Sequence, residues 1–237
     1  MSPQPSLAGE IKRLGITRLC HLTPSRNLVH IASGQGVRST RGLEEDGRAV
    51  FTAQDSARID GHRGHISCSI EYPNAWYFRH KKHPVGEAVN FRDWVILGIK
   101  PECITHADTL FSPINAAARG GGYLASGLEG FEAMYAPKVV DSAGRCFERG
   151  DDHLPMCPTN DQAEVMVSGS IPLDDITTIF VPDTAQAARH FAGLEQIGAD
   201  ADRFRYAIAP DFFNAYQLSA NIRKGLASAE IEWNPPS

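Results

Sequence analysis

Residues 160–167 read NDQAEVMV. The polar residues 160–162 indicate a turn, and after them small or branched apolar residues alternate with the longer side chains of Glu164 and Met166. In an extended chain, Ala163, Val165 and Val167 share one face, and Glu164 projects from the opposite face. This period of two predicts a strand with one buried face. On this pattern alone, Glu164 is best explained as an ordinary exposed residue on an edge strand.

Strand and helix patterns alternate with turn residues on both sides of this segment. Thr23 is predicted to cap a helix whose first residue is Pro24, and Ser126 and Asp183 are predicted to cap two more helices. Strands are predicted at 66–72, 94–97, 163–167, 176–181 and 204–208. Because the strands outnumber the helices and lack regular helical crossovers, we expect an α+β fold rather than a doubly wound parallel sheet.

The length and composition are those of a globular protein. The 237 residues suit a single domain over 1–237, with a core at about 16–208, a leader at 1–10 and a tail at 233–237. Hydrophobic residues make up 42% and charged residues 22%, which excludes a disordered chain or a coiled coil. No stretch approaches the ~20 apolar residues of a membrane-spanning helix, and the N-terminus lacks a signal-peptide pattern. We therefore expect a soluble, cytoplasmic protein with no membrane partner.

The charge balance restricts how the chain can bind nucleic acid. It carries 23 Lys and Arg against 28 Asp and Glu, a net charge of −5, so it lacks the general basic excess of a duplex-DNA binder. One local stretch is suited to a single strand: the aromatic residues at 76–78 are followed by Arg79, Lys81, Lys82 and Arg92. Aromatic rings stack on bases, and neighbouring cations pair with phosphates. At least one of the three aromatic residues is expected to belong to the core.

The five cysteines are scattered and odd in number, so they predict no disulfide framework. One Cys-x-x-His motif occurs, at Cys103 and His106. A zinc site of the usual kind requires two such pairs. The sequence therefore predicts no metal.

Six motifs, in this order along the chain, resemble the DarT family of bacterial DNA ADP-ribosyltransferase toxins. They are LCHLTPSRNL at 19–28, SARIDG at 56–61, ISCSIEYPN at 66–74, WYF at 76–78, NAA at 115–117 and DQAEV at 161–165. The resemblance implies an ADP-ribosyltransferase-like split β-sheet core with peripheral helices. It also implies transfer of ADP-ribose from NAD, as a substrate, to a thymine or guanine of single-stranded DNA, with release of nicotinamide. A macrodomain antitoxin is the expected partner.

The resemblance also implies roles for individual residues. Cleavage of the nicotinamide–ribose bond develops positive charge on the ribose, and the carboxylate of Glu164 is placed to stabilise that charge. The planar guanidinium of Arg58 suits the NAD diphosphate. The expected sites comprise Glu164 and Arg58 for catalysis; His21, Leu22, Thr23 and Arg58 for NAD; and Tyr77, Arg79, Lys81, Lys82, Asn115, Arg119 and Asn160 for nucleic acid.

Two alternatives stay open at this point. An enzyme with the same fold and the same use of NAD would act on RNA or protein, and a binding module would keep the scaffold without catalysis. The joint presence of His21, Arg58 and Glu164 argues against a silent module.

Overall fold

A computed structural model describes residues 6–34, 36–45, 61–82 and 93–236. In this part of the chain, thirteen strands and seven α-helices form a mixed α and β fold. The strands are β1 Leu19–Pro24, β2 Val37–Arg38, β3 His65–Ile70, β4 Trp94–Ile99, β5 Leu110–Ser112, β6 Ala125–Ser126, β7 Lys138–Val140, β8 Cys146–Glu148, β9 Glu164–Ser168, β10 Ser170–Ile171, β11 Ile176–Val181, β12 Arg205–Ile208 and β13 Ile231–Trp233. The helices are α1 Leu7–Leu14, α2 Asn27–Ala32, α3 Thr40–Glu45, α4 Ala75–Lys82, α5 Gly127–Ala133, α6 Thr184–Gln196 and α7 Ala215–Arg223.

Nine of these strands form one sheet in the order β13-β12-β11-β4-β1-β3-β9-β5-β6. Within it, β11 and β12 are parallel, and the other neighbouring strands are antiparallel. The sheet is therefore mixed, as an α+β chain without regular crossovers requires.

The sheet is split between its two central strands, β1 and β3. β1 pairs with β4 along its whole length, from Leu19 opposite Ile99 to Pro24 opposite Trp94. Its pairing with β3 covers only Leu19 and Cys20. Beyond Cys20 the two strands no longer pair, so an opening begins at the level of His21.

Side chains cover both faces of the central sheet. Leu19, Cys68 and Val165 belong to one buried cluster, which also receives residues of α1, α5 and α6. Cys20 and Ile96 belong to a second cluster, on the other face, together with residues of α7. Since Glu164 alternates with Val165, its side chain lies on the second face.

The predicted strands are confirmed, and so is the helix that Asp183 caps. The Asp183 carboxylate accepts a hydrogen bond of 2.8 Å from the backbone N–H of Gln186. The prediction for Thr23 and Pro24 was wrong. Both residues are in β1, and helix α2 begins only at Asn27, because β1 continues its pairing with β4 as far as Pro24.

The C-terminal region also differs from the prediction. The strand predicted at 204–208 is followed by α7 and by a further strand, β13. Trp233, placed in a tail by the sequence, pairs with Tyr206 across the sheet and packs its ring against Tyr206 and Phe191. The large indole supplies apolar area to the core and fixes this segment as an edge strand.

Every helix in the described ranges falls short of the length and apolar character needed to cross a lipid bilayer.

Candidate active site

The carboxylate of Glu164 lies at the start of β9 and is held by two side-chain donors. Ser67 Oγ donates to Oε2 over 2.5 Å, and Asn115 Nδ2 donates to Oε1 over 2.9 Å. The residue is 8% exposed. Burial of a carboxylate is costly unless hydrogen bonds replace its water, so the two donors stabilise the charged form. Glu164 is therefore no ordinary exposed glutamate.

Strand register explains why Ser67 reaches Glu164. Ser67 lies opposite Met166, and Glu164 precedes Met166 by two residues on the same face of β9. His65, Ser67 and Ser69 share one face of β3, and Glu164 shares its face of β9 with Met166 and Ser168. These faces of the two neighbouring strands therefore coincide beside the opening in the sheet.

Asn115 lies in the segment that follows β5 and holds its amide in one orientation. Its Oδ1 accepts a hydrogen bond of 3.0 Å from the backbone N–H of Ala117. Its Nδ2 is thereby directed to Glu164, and this orientation is the one a carboxylate requires because an ionised carboxylate only accepts hydrogen bonds. The sequence predicted Asn115 as a nucleic-acid contact, whereas the structure places it against the candidate catalytic group.

His21 is brought to the same place from the other side of the split. Its Nδ1 lies 2.9 Å from the carbonyl oxygen of Ser67, so Nδ1 carries the hydrogen in this bond. Ser67 thus binds His21 through its backbone and Glu164 through its hydroxyl. Ser67 therefore connects His21 and Glu164 at the point where β1 leaves β3.

Of the other residues predicted to bind NAD, the structure describes Leu22 and Thr23. Leu22 is half-buried and packs against the second apolar cluster. The hydroxyl of Thr23, which is buried, accepts a hydrogen bond of 2.9 Å from Asn27 Nδ2. Arg58 lies outside the described residues, and its role stays a prediction.

Helix α4 carries the aromatic and basic stretch, and Trp76 connects it to the turn before β9. The indole Nε1 lies 3.0 Å from Asp161 Oδ2 and 2.9 Å from Ser219 Oγ. Ser219, in α7, also donates to Asp161. Asp161 precedes Glu164 by three residues, so α4 and α7 together hold the turn that leads to the carboxylate. Phe78 is buried and is the core aromatic residue that was expected.

An exposed ring on α7 completes the aromatic surface, which we call the Tyr216 platform: Trp76, Arg79 and Tyr216. Tyr216 is 61% exposed, and its ring centroid lies 5.0 Å from that of Trp76. The guanidinium carbon of Arg79 lies 5.1 Å from the centroid of the Tyr216 ring. The sequence did not predict Tyr216 as a site residue, because nothing near residue 216 marks it as a partner of a helix at 75–82.

The remaining predicted nucleic-acid residues are dispersed. Lys81 Nζ lies 5.3 Å from the Tyr77 ring on α4, and the side chain of Lys82 is outside the described part of the structure. Arg119 is exposed, with its guanidinium 5.8 Å from the Tyr123 ring. Asn160 is 1% exposed, and its Oδ1 accepts a hydrogen bond of 2.8 Å from the backbone N–H of Gln162. This geometry gives Asn160 a structural role in the turn, and its contact with DNA stays a prediction.

Residues 20–214 match the family described as DarT, ssDNA thymidine ADP-ribosyltransferase. The chain belongs to the DarT family. None of the curated proteins matches its sequence.

Solved DarT structures share the fold. Thermus sp. 2.9 DarT in complex with ADP-ribosylated ssDNA is 15% identical, with a TM-score of 0.56 over 84% of this chain and 97% of that one. The same Thermus protein in complex with NAD+ is 15% identical, with a TM-score of 0.54 over 83% and 97%. Thermosipho africanus DarTG in complex with ADP-ribose is 14% identical, with a TM-score of 0.53 over 83% of this chain; the match spans 51%, about half, of the DarTG chain.

The predicted family, fold class and enzyme class are confirmed. The family match makes the protein an ADP-ribosyltransferase of the class that modifies single-stranded DNA. The split sheet observed between β1 and β3 is the core that the resemblance implied. The roles of individual residues stay predictions.

Proposed function

We propose that this protein transfers ADP-ribose from NAD to the thymine base of a thymidine in single-stranded DNA, and that Glu164 is its catalytic carboxylate. The observation that carries the proposal is the buried carboxylate of Glu164, held by Ser67 and Asn115 at the split of the sheet. The family description names the acceptor, and the Thermus relative was solved with NAD+ and with ADP-ribosylated ssDNA.

The reaction exchanges one bond to the ribose anomeric carbon for another. The bond from this carbon to the nicotinamide nitrogen breaks, and its electron pair leaves with nicotinamide. The new bond is formed by N3 of thymine, which loses its proton. N3 is the ring nitrogen of this base that bears a hydrogen in DNA. The products are ADP-ribosylated thymidine, nicotinamide and a proton.

Glu164 acts on the charge that develops in this exchange. The ribose becomes oxocarbenium-like as nicotinamide departs, and a fixed carboxylate beside it stabilises that state more than the ground state. The same carboxylate is suited to accept the N3 proton of the attacking base. Ser67 and Asn115 keep the carboxylate in place, so little reorganisation is needed during the reaction.

The NAD molecule is proposed to lie along β1 in the opening of the sheet. No described strand pairs with β1 on its β3 side beyond Cys20, which makes the segment from His21 to Thr23 a suitable border for the ribose and the nicotinamide amide. His21, Leu22 and Thr23 form this border. The role of Arg58 is to hold the diphosphate.

The DNA strand is proposed to approach over α4. The Tyr216 platform offers an exposed ring and a guanidinium beside it, the combination that stacks on unpaired bases. Five further residues are proposed to contact the DNA strand on either side of the platform: Tyr77, Lys81, Lys82, Arg119 and Asn160. Because a paired base cannot enter the cleft without flipping, a single strand is the preferred substrate.

The biological role is proposed to be that of a toxin that acts in the cytoplasm, where bacterial DNA lies. One relative of the same fold was solved as DarTG. We propose that a macrodomain partner neutralises this protein by removing ADP-ribose from the DNA.

The proposed function is tested with NAD and an oligonucleotide that contains one thymidine. The expected result is a mass increase of one ADP-ribose that is located on thymidine after digestion. Matched oligonucleotides with guanosine or cytidine in place of thymidine, and an RNA of the same sequence, should stay unmodified. The Glu164→Gln variant should modify the thymidine oligonucleotide far more slowly than the parent enzyme. Labelling of guanosine, RNA or protein instead would overturn the proposal and establish the corresponding alternative acceptor.

A further inference from the structure

Outside the cleft, Cys103, His106 and Asp175 bring three potential ligand atoms within 4.8 Å of one another. The sulfur of Cys103 and Oδ2 of Asp175 are 3.8 Å apart. The first two residues form the Cys-x-x-His motif, which alone predicts no zinc site because the sequence lacks a second such pair. The structure supplies the third ligand from a distant part of the chain.

The local fold explains how these residues meet. Cys103 lies in a 3₁₀ helix, Pro101–Thr105, that follows β4, and His106 is its C-cap. With about three residues per turn, side chains three positions apart project to the same side. Asp175 directly precedes β11, which pairs with β4 through Ile176 opposite Ile99. The Lys100 amide donates to the Asp175 carbonyl over 2.9 Å, which fixes the two segments to each other.

The donor set selects the class of metal. A thiolate, an imidazole and a carboxylate together suit Zn²⁺, whereas Ca²⁺ and Mg²⁺ are bound through oxygen alone. Cys103 is 1% exposed, but His106 and Asp175 are half-buried. The site therefore has a closed sulfur side and a side that water can reach, which allows a water molecule to be the fourth ligand of a tetrahedral ion.

One positive charge already lies near this cluster. Lys100 Nζ is 3.0 Å from Asp175 Oδ1, whereas Cys103 contacts the other oxygen, Oδ2. The Lys100 side chain is 46% exposed, so it can turn into solvent when a cation binds. Without a metal, burial and the nearby Asp175 carboxylate raise the pKa of the Cys103 thiol to about 12. A bound cation replaces the thiol proton, which passes to solvent.

We propose that Cys103, His106 and Asp175 bind one Zn²⁺ with water as the fourth ligand. The site is structural: it connects the end of β4 to the start of β11. Cys103 belongs to the first apolar cluster, so the site lies on the face of the sheet opposite to Glu164. It is independent of the proposed function, because no step of ADP-ribose transfer involves it.

Metal binding by the full chain, prepared without a histidine tag, tests this proposal. After addition of Zn²⁺ and gel filtration, we expect about one equivalent of zinc per chain and a higher midpoint of thermal unfolding. With Co²⁺ as the probe, a thiolate-to-metal charge-transfer band and visible d–d bands are expected. Less than 0.1 equivalent of zinc, or a Co²⁺ spectrum without the thiolate band, would overturn the proposal.

Variants separate this site from adventitious binding. His106→Gln and Asp175→Asn change half-buried ligands with little change in volume, so they avoid the core defect that Cys103→Ser risks. Each is expected to weaken zinc binding at least tenfold and to reduce the thermal shift at the same zinc concentration. Cys146→Ser removes an exposed thiol elsewhere and should change neither. Unchanged zinc affinity in both ligand variants refutes the site.

Discussion

The side-chain amide of Asn115 donates to Glu164 while its oxygen is bound by the Ala117 amide two residues along the chain. Both ends of the amide are therefore engaged, and its orientation is fixed before any substrate arrives. We therefore expect Asn115 to be a positioning residue, which acts on the reaction through the carboxylate that it holds.

The first prediction concerns the charge of Glu164. Glu164→Gln keeps the size of the side chain but removes the negative charge that is proposed to stabilise the oxocarbenium-like ribose. Loss of one preorganised electrostatic contact of this kind lowers kcat by about 10²–10³-fold. Transfer to a thymidine oligonucleotide is measured by mass spectrometry, and folding by circular dichroism. Glu148→Gln, on an exposed strand position, is the control, and full activity in Glu164→Gln would exclude the catalytic role.

The second prediction separates positioning from binding. Asn115→Ala removes a hydrogen bond to a charged group, worth about 1.5–3 kcal/mol, so kcat should fall by about 10–150-fold while KM for NAD stays nearly constant. Asn115→Asp places a second carboxylate beside Glu164 and should shift the rising limb of the kcat–pH profile to higher pH, because like charges favour the protonated form.

Ser67→Ala provides the comparison for Asn115→Ala. The two donors bind the two oxygens of one carboxylate, so their effects should not be additive in the double variant. A rise in KM for NAD with constant kcat in Asn115→Ala would contradict the positioning role.

The third prediction concerns the Tyr216 platform. Tyr216→Ala removes an exposed ring that is proposed to stack on a base, and stacking is worth about 1–3 kcal/mol per base. KM for the oligonucleotide should therefore rise by about 5–150-fold. Tyr216→Phe keeps the ring and should retain nearly all of the affinity. KM for NAD should be nearly equal in all three proteins, and an unchanged oligonucleotide KM in Tyr216→Ala would remove the platform from the DNA path.

Sequence patterns predicted the parts of the fold that depend on local order. The strand at 163–167 and the cap at Asp183 depend on neighbouring residues, and both are confirmed, but the prediction that only one face of this strand is buried was wrong, because Glu164 and Met166 are buried as well. The extent of β1 depends on its pairing with β4, and the helix predicted from Thr23 was placed too early for that reason.

The candidate site was predictable only in part, because it also depends on contacts between distant parts of the chain. Glu164 and His21 were found through a resemblance, but their connection through Ser67 depends on register and on the split of the sheet. Asp175 and Tyr216 are each separated by more than 65 residues from the groups they approach, so no local pattern could reveal them. The single-domain organisation and the role of Arg58 stay predictions.

The last prediction concerns the pH dependence of stability through His153, which lies near the turn before β9. Burial lowers the pKa of this imidazole below its ordinary value of 6.5, and the nearby positive charge of Arg149 lowers it further. Its Nε2 lies 3.0 Å from the Pro158 carbonyl, and within the described residues its buried Nδ1 has no hydrogen-bond partner. The folded protein therefore favours the neutral form.

The sign of the effect follows from this difference in pKa. Below about pH 6.5 the unfolded chain binds a proton at His153 that the folded chain does not, so the free energy of unfolding falls as the pH decreases through this range. His190, whose pKa is also lowered by burial, adds a contribution of the same sign. Thermal unfolding from pH 8 to pH 5 should show a falling midpoint, and His153→Gln should reduce the slope without abolishing it. His30→Gln, at an exposed position of α2, should leave the slope unchanged, and an equal slope in His153→Gln and the parent would show that this histidine is not the source.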